Sequence, residues 1–130
     1  MYSEIIVCDD VRQEASGKIT IVGAYSGLMY LADFPAALMS ITVFVRVISK
    51  AAFSDDISIK VSCEEWEIPL HELNIPKEKI DKAEAGDAII NCPMTLTNIV
   101  FNQPSNINVE VHCGSSLIRK FIFPVVKGPK

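Results

Sequence analysis

The amino-acid sequence predicts an all-β protein, a two-layer antiparallel β-sandwich of the immunoglobulin-like type with seven to eight strands. Three observations predict this class. Apolar and polar residues alternate with a period of two, the alternating runs are short and closely spaced, and Val, Ile, Thr and Phe dominate them. With 130 residues, the chain has the usual size of one domain, 1–130, and can bury a core without a metal or a disulfide.

The strands are predicted in chain order from these runs and from the turn formers between them. Segment 39–47 shows the clearest alternation, with Met39, Ile41, Val43, Val45 and Val47 on one face. The predicted strands are 4–8, 18–25, 28–31, 39–47, 57–63, 87–101, 107–113 and 117–126.

Two of these strands carry further positional information. Pro93 predicts an edge position or a bulge, because proline cannot donate a hydrogen bond to a neighbouring strand. In the last strand, parity places Leu117, Phe121, Phe123 and Val125 on one face.

One short helix is predicted near residues 76–84. Pro76 suits a first helical turn, Glu78 favours a helix N-terminus, and Gly86 can end the element. The residues between them are mostly polar, which indicates a helix on the surface of the protein. The segment that precedes it, including His71, is interpreted as irregular and acidic.

Composition and charge restrict the partners. The net charge is −4, with 12 basic residues among 16 acidic ones, so nucleic-acid binding is not expected. No apolar run approaches the roughly 18 residues of a membrane-spanning helix, and no membrane association is expected. Hydrophobic residues make up 49% of the chain, which fits either an additional buried surface such as a homodimer interface or simply a well-packed core.

The cysteine pattern predicts a reducing compartment. Each of Cys8, Cys63, Cys92 and Cys113 lies within a predicted strand, and no C-x-x-C motif occurs. Two disulfides across the sandwich remain arithmetically open. The chain begins without a basic segment followed by a long apolar run, so we expect a cytoplasmic protein with reduced, buried thiols.

Catalytic and cofactor motifs are missing from the sequence. It contains no G-x-S-x-G elbow, no phosphate-binding glycine loop and no calcium-loop spacing among its Asp and Glu doublets. His112 and Cys113 are adjacent on a strand, so their side chains point to opposite faces and cannot act as a pair. We therefore expect no enzyme activity, no metal and no cofactor.

A charged cluster directly after the first predicted strand is the leading candidate site. It comprises Asp9, Asp10, Arg12 and Glu14. One interpretation is a charged recognition loop. The other is an Asp-capped turn in which Arg12 pairs with Asp10 or Glu14. Phe44 lies on the nominally outer face of its strand and is a second candidate contact residue.

The same cluster carries a resemblance. The stretch VCDDVRQE over 7–14, followed by GKITIVGAY over 17–25, resembles the opening of a family of small bacterial and phage proteins of uncharacterised activity. Their pattern is CDD-x-R-x-E, then G-K, hydrophobic residues, glycine and an aromatic residue, followed by an immunoglobulin-like sandwich. The match is specific over about the first 25 residues. The resemblance implies the fold and a microbial cytoplasmic setting, but no mechanism.

The functional expectation is a non-catalytic, intracellular interaction module that acts through protein–protein contacts, with an unidentified protein partner or a second copy of the chain. The alternative is a protein that binds or sequesters a small molecule or nucleotide in a pocket between subunits.

Overall fold

A computed structural model describes residues 1–50, 53–66, 71–80 and 88–128. These residues form β-strands and one 3-10 turn, Lys77–Lys79. The strands are β1 (Tyr2–Cys8), β2 (Asp10–Gln13), β3 (Ile19–Val22), β4 (Met29–Leu31), β5 (Ala36–Ser49), β6 (Ile57–Cys63), β7 (His71–Ile75), β8 (Ala88–Phe101), β9 (Ser105–Cys113) and β10 (Ser116–Lys127).

The strands build three sheets. A three-stranded sheet has the order β1-β5-β8, a five-stranded sheet has the order β4-β10-β9-β6-β7, and β2 pairs with β3 alone. All neighbouring strands are antiparallel except β4 and β10, which are parallel. The all-β prediction is confirmed. Of the helix predicted near 76–84, the described part holds only the 3-10 turn, and residues 81–87 lie outside the described residues.

One hydrophobic cluster receives side chains from both larger sheets. Strand β9 shows the underlying pattern most clearly, because every second residue from Ser105 to Cys113 is buried and the residues between are half-buried. Strand β6 alternates in the same way. Burial of these apolar side chains contributes about 25 cal/mol for each Å² removed from water, which makes the cluster the main stabilising element.

The face predicted for Met39 is wrong. Met39 is 87% exposed, whereas Ile41, Val43, Val45 and Val47 belong to the core as predicted. The pairing of β5 with β8 skips Met39 and Asn98, and Asn98 has a positive φ of 54°. This left-handed residue interrupts the alternation of both strands, so that the even-numbered Leu38 packs against the core in place of Met39.

The face predicted for Leu117 is also wrong, and a β-bulge is the reason. The register of β10 against β9 shifts between Leu117 and Arg119. The extra residue, Ile118, packs against the core, while Leu117 is 53% exposed. Beyond the bulge, Phe121 contacts the core cluster as predicted.

Two strands were not expected from the sequence. Strand β2 occupies the charged cluster, and β7 occupies the segment interpreted as irregular. Both contain mostly polar or charged side chains, so neither shows the apolar enrichment that marks a strand in a sequence. Of the two alternatives predicted from Pro93, the edge position is confirmed, because β8 lies at one end of the three-stranded sheet.

Candidate functional site

The charged cluster lies on a β-hairpin rather than in a loop. Strand β2 pairs with β3 from Asp10 opposite Val22 to Gln13 opposite Ile19. The connection closes with a hydrogen bond from the amide of Glu14 to the carbonyl of Lys18, at 2.8 Å. Gly17 supplies a φ of +86° within that turn. We call β2, β3, their connection and the preceding Asp9 the charged hairpin.

Asp9 holds the base of the charged hairpin. Its amide donates to the carbonyls of Val22 at 3.0 Å and Gly23 at 3.2 Å, and its carboxylate accepts the Tyr25 hydroxyl at 3.4 Å. Gly23 has a φ of +67°, and a Cβ at this position would collide with the Asp9 carboxylate. Tyr25 also meets Phe123 edge-on, with ring centroids 5.8 Å apart. Asp9, Gly23 and Tyr25 therefore connect the hairpin to the core.

The environment of Tyr25 favours its neutral phenol. Burial raises the pKa of Tyr25, and the nearby Asp9 carboxylate raises it further. The phenol therefore keeps its proton and can donate to Asp9. This is a structural role for the tyrosine, because its hydroxyl bonds Asp9 and its ring packs against Phe123.

Glu14 is likewise bound within the hairpin. Its carboxylate accepts a hydrogen bond of 2.7 Å from the hydroxyl of Thr20, which lies on β3. Arg12 does not pair with Glu14. Of the two pairings considered from the sequence, the structure shows Arg12 with Asp10.

Asp10 and Arg12 form an ion pair on the open face of the hairpin. The Arg12 Nε lies 3.2 Å from the Asp10 Oδ2, and the side chains of Arg12 and Asp10 are 69% and 51% exposed, respectively. The other carboxylate oxygen of Asp10 accepts the Val11 amide at 2.9 Å. Exposed pairs of this kind contribute about 0–1 kcal/mol to stability. The hairpin thus divides into anchored residues, Asp9 and Glu14, and open ones, Asp10 and Arg12.

Phe44 does not belong to this open surface, and its prediction as an outward contact residue is corrected. It is only 2% exposed. It lies between Ile6 and Pro93 in the three-stranded sheet, and the Arg46 guanidinium lies 5.7 Å from its ring centroid. The outer face of this sheet is covered at its centre, so a position that parity places outside is nevertheless buried.

The four cysteines are free and buried, as expected. The Cys8 thiol lies 3.6 Å from the carbonyls of Thr42 and Asp10, and burial raises its pKa. Burial also raises the pKa of Cys92 to about 11. Since the thiolate is the nucleophile and the metal-binding form, both thiols are held in the unreactive state at neutral pH.

A groove that the sequence did not indicate lies on the outer face of the five-stranded sheet. Its volume is about 560 Å³, and polar residues of β6, β7 and β9 line it, among them Lys60, Glu72, Glu110 and His112. His112 faces the groove while Cys113 is buried, as strand alternation predicts. The groove could have been predicted from the alternation of acidic and basic residues between neighbouring strands. That alternation appears only when the pairing register is known.

Within the described ranges, no group of three or more His, Cys, Asp or Glu side chains is arranged to hold a metal ion. The described residues also include no helix with the length and apolar character needed to cross a membrane.

Residues 4–126 match the sequence model of a family of unknown function, DUF6941. No curated protein and no solved structure matches the chain.

Proposed function

The chain belongs to the DUF6941 family, and we propose that it is a non-catalytic interaction module that binds a protein partner through the open face of the charged hairpin. The observation that carries this proposal is the exposed pair of Asp10 and Arg12 beside anchored Asp9 and Glu14. A hairpin fixed at its base presents two charges at low entropic cost, because its backbone is already ordered.

The proposed setting is a bacterial or phage protein in the cytoplasm. Four buried, free cysteines support a reducing compartment, where thiols persist. The proposed finer architecture is an immunoglobulin-like sandwich. Its support is the single core cluster that both larger sheets share.

The test compares two exposed ion pairs. The double variant Asp10→Ala with Arg12→Ala should abolish recovery of the partner from a host lysate while leaving the Tm nearly unchanged. The matched control is Asp33→Ala with Lys127→Ala. It removes a pair at 3.6 Å, in which the side chains of Asp33 and Lys127 are 79% and 51% exposed, respectively, without altering net charge.

Three outcomes separate the interpretations. Loss of the partner in the hairpin variant alone supports recognition. Equal loss of the partner in both variants would mean that the contact depends on nonspecific charge. A Tm lowered by several degrees in the hairpin variant gives the pair a structural role.

The groove on the five-stranded sheet favours a second candidate, the binding or sequestering of a small molecule or nucleotide. Lys60 and His112 supply donors for an anionic or polar ligand there. Native mass spectrometry of freshly purified protein tests this candidate. A retained small molecule, lost in a Lys60→Ala variant, would favour it over the protein contact.

A further inference from the structure

A row of alternating charges crosses the outer face of the five-stranded sheet. The strand registers place Glu72 of β7 opposite Lys60 of β6, Lys60 opposite Glu110 of β9, and Glu110 opposite Lys120 of β10. The signs along the row are therefore minus, plus, minus, plus. We call these four residues the charge row.

The charge row is available for contact. Lys60, Glu72 and Lys120 are exposed and Glu110 is half-buried. In the part of the chain that the structure describes, the ion pairs within 4.0 Å are Arg12–Asp10, Arg46–Glu4 and Lys127–Asp33, so no member of the row is engaged in one. The four residues occupy paired positions on neighbouring strands, so the hydrogen bonds of the sheet keep the four charges in order.

An alternating row with an even number of charges is complementary to itself under one symmetry operation. Consider a two-fold axis that runs along the strands, between β6 and β9, midway between two stacked sheets. It brings Lys60 opposite Glu110 of a second copy, and Glu72 opposite Lys120 of that copy. A two-fold axis across the strands would instead bring equal charges together. The pattern therefore selects one axis for an isologous dimer.

The neighbouring positions agree with the same axis. Ser58 pairs with His112, and Ser62 pairs with Asn108, across β6 and β9. The two-fold axis between these strands brings each serine opposite the histidine or asparagine of the second copy. Both contacts join a hydroxyl to a side chain that can donate or accept a hydrogen bond. The groove over β6, β7 and β9 leaves room for the long side chains of the second copy.

The face is large enough for a dimer of modest affinity. Four strands spaced ~4.8 Å apart, with a rise of ~3.4 Å along the nine residues of β9, span roughly 600 Å². Standard interfaces bury about 800 Å² for each partner. A charged interface of this size is expected to weaken as salt rises, because screening reduces the attraction of its exposed pairs.

We propose that the outer face of the five-stranded sheet binds a second copy of this chain, with the charge row of each copy paired about a two-fold axis between β6 and β9. This inference deepens the homodimer part of the expected function by naming its face. It does not depend on the charged hairpin, which lies on a different sheet and remains free for another partner.

The experiment uses charge reversal and mixing, with light scattering and sedimentation as readouts. Lys60→Glu and Glu110→Lys each place equal charges opposite one another at both symmetry-related contacts. Each variant alone should weaken self-association by roughly tenfold or more. Mixed together, the two variants should form a heterodimer. One of its two contacts then pairs the introduced carboxylate with the introduced ammonium, and the other keeps the native pair of Lys60 and Glu110.

The matched control is Lys18→Glu. It changes the net charge by the same amount as Lys60→Glu, but on the charged hairpin, and should leave the dimer intact.

Every outcome of this experiment bears on the face. A strictly monomeric wild-type chain overturns both the homodimer and the face. A dimer that tolerates Lys60→Glu retains self-association but overturns the face. Failure of the mixed variants to associate overturns the axis. If a variant fails to fold by circular dichroism, the wild-type dimer is titrated from roughly 0.05 to 0.5 M salt, and an association indifferent to salt overturns the proposal. Loss of partner binding in the hairpin variant affects none of these results.

Discussion

The outer faces of the two larger sheets differ in what covers them. At the centre of the three-stranded sheet, Thr42, Phe44 and Ile48 are buried although they point away from the shared core. On the five-stranded sheet, Lys60 and Glu72 are exposed. The first face is closed within the folded chain and the second is open. Strand alternation tells which residues share a face, but burial decides whether that face can bind anything.

The largest effect that separates the two faces is expected at Phe44. Phe44→Ala removes a large side chain that is 2% exposed, and should lower the free energy of unfolding by about 3–5 kcal/mol. The control is Ile122→Ala on β10. Ile122 is 52% exposed, and its loss should cost about 0.5 kcal/mol or less. Urea denaturation measures both, and equal losses would contradict the distinction between a closed and an open face.

A smaller effect is expected at Asn98, where the alternation of inward and outward side chains is interrupted in both β5 and β8. Asn98→Val places a β-branched residue at a φ of 54°, and should cost about 1–2 kcal/mol. Asn98→Gly is the matched control, because glycine adopts this conformation without strain. Thermal unfolding compares the two variants. If valine were tolerated as well as glycine, the left-handed residue would not be what exposes Met39.

Alkaline pH gives another measure of enclosure. Burial raises the pKa of the Cys92 thiol to about 11 in the folded chain, from an ordinary value of 9.0. Between these pKa values the unfolded chain releases its proton while the folded chain keeps it, so stability falls as pH rises from 9.0 towards 11. Tyr25 adds to this loss above pH 10.0, its ordinary pKa, because burial raises the pKa of its phenol as well.

The matched variant for this measurement is Cys92→Ala. It should reduce the decline in the free energy of unfolding between pH 9.0 and 11, whatever it costs at neutral pH, and leave the part that comes from Cys8 and Tyr25. Denaturant midpoints across that range provide the test. An unchanged dependence of stability on pH in the variant would show that burial does not raise the pKa of Cys92.

The difference between the faces also explains what the sequence could predict. Alternation in 57–63 and 107–113 identified β6 and β9, since one face of each is buried in the core and the other is polar. The same rule placed Met39 and Leu117 incorrectly, because Asn98 and the bulge at Ile118 change parity within a strand. Such local backbone departures have no periodic signal.

The candidate site was predicted in part for a related reason. The pairing of Arg12 with Asp10 follows from proximity along the chain, and it was one of the two alternatives. The hairpin itself was not expected, because Asp10–Gln13 has too few apolar residues to show a strand pattern. The charge row was invisible for a different reason. Its members come from four strands, and only the pairing register brings them into line.

The smallest expected effect concerns the charge row within a single copy. Lys60 lies between Glu72 and Glu110, and Lys60→Met should cost about 0.5–1 kcal/mol at low salt, measured by urea denaturation in dilute protein. The control is Lys18→Met on the charged hairpin. The difference between the two variants should vanish near ~1 M salt, where screening acts within ~3 Å. If salt left the loss of stability in Lys60→Met unchanged, Lys60 would instead contribute through its aliphatic stem, which covers the sheet. Packing rather than charge would then stabilise the open face.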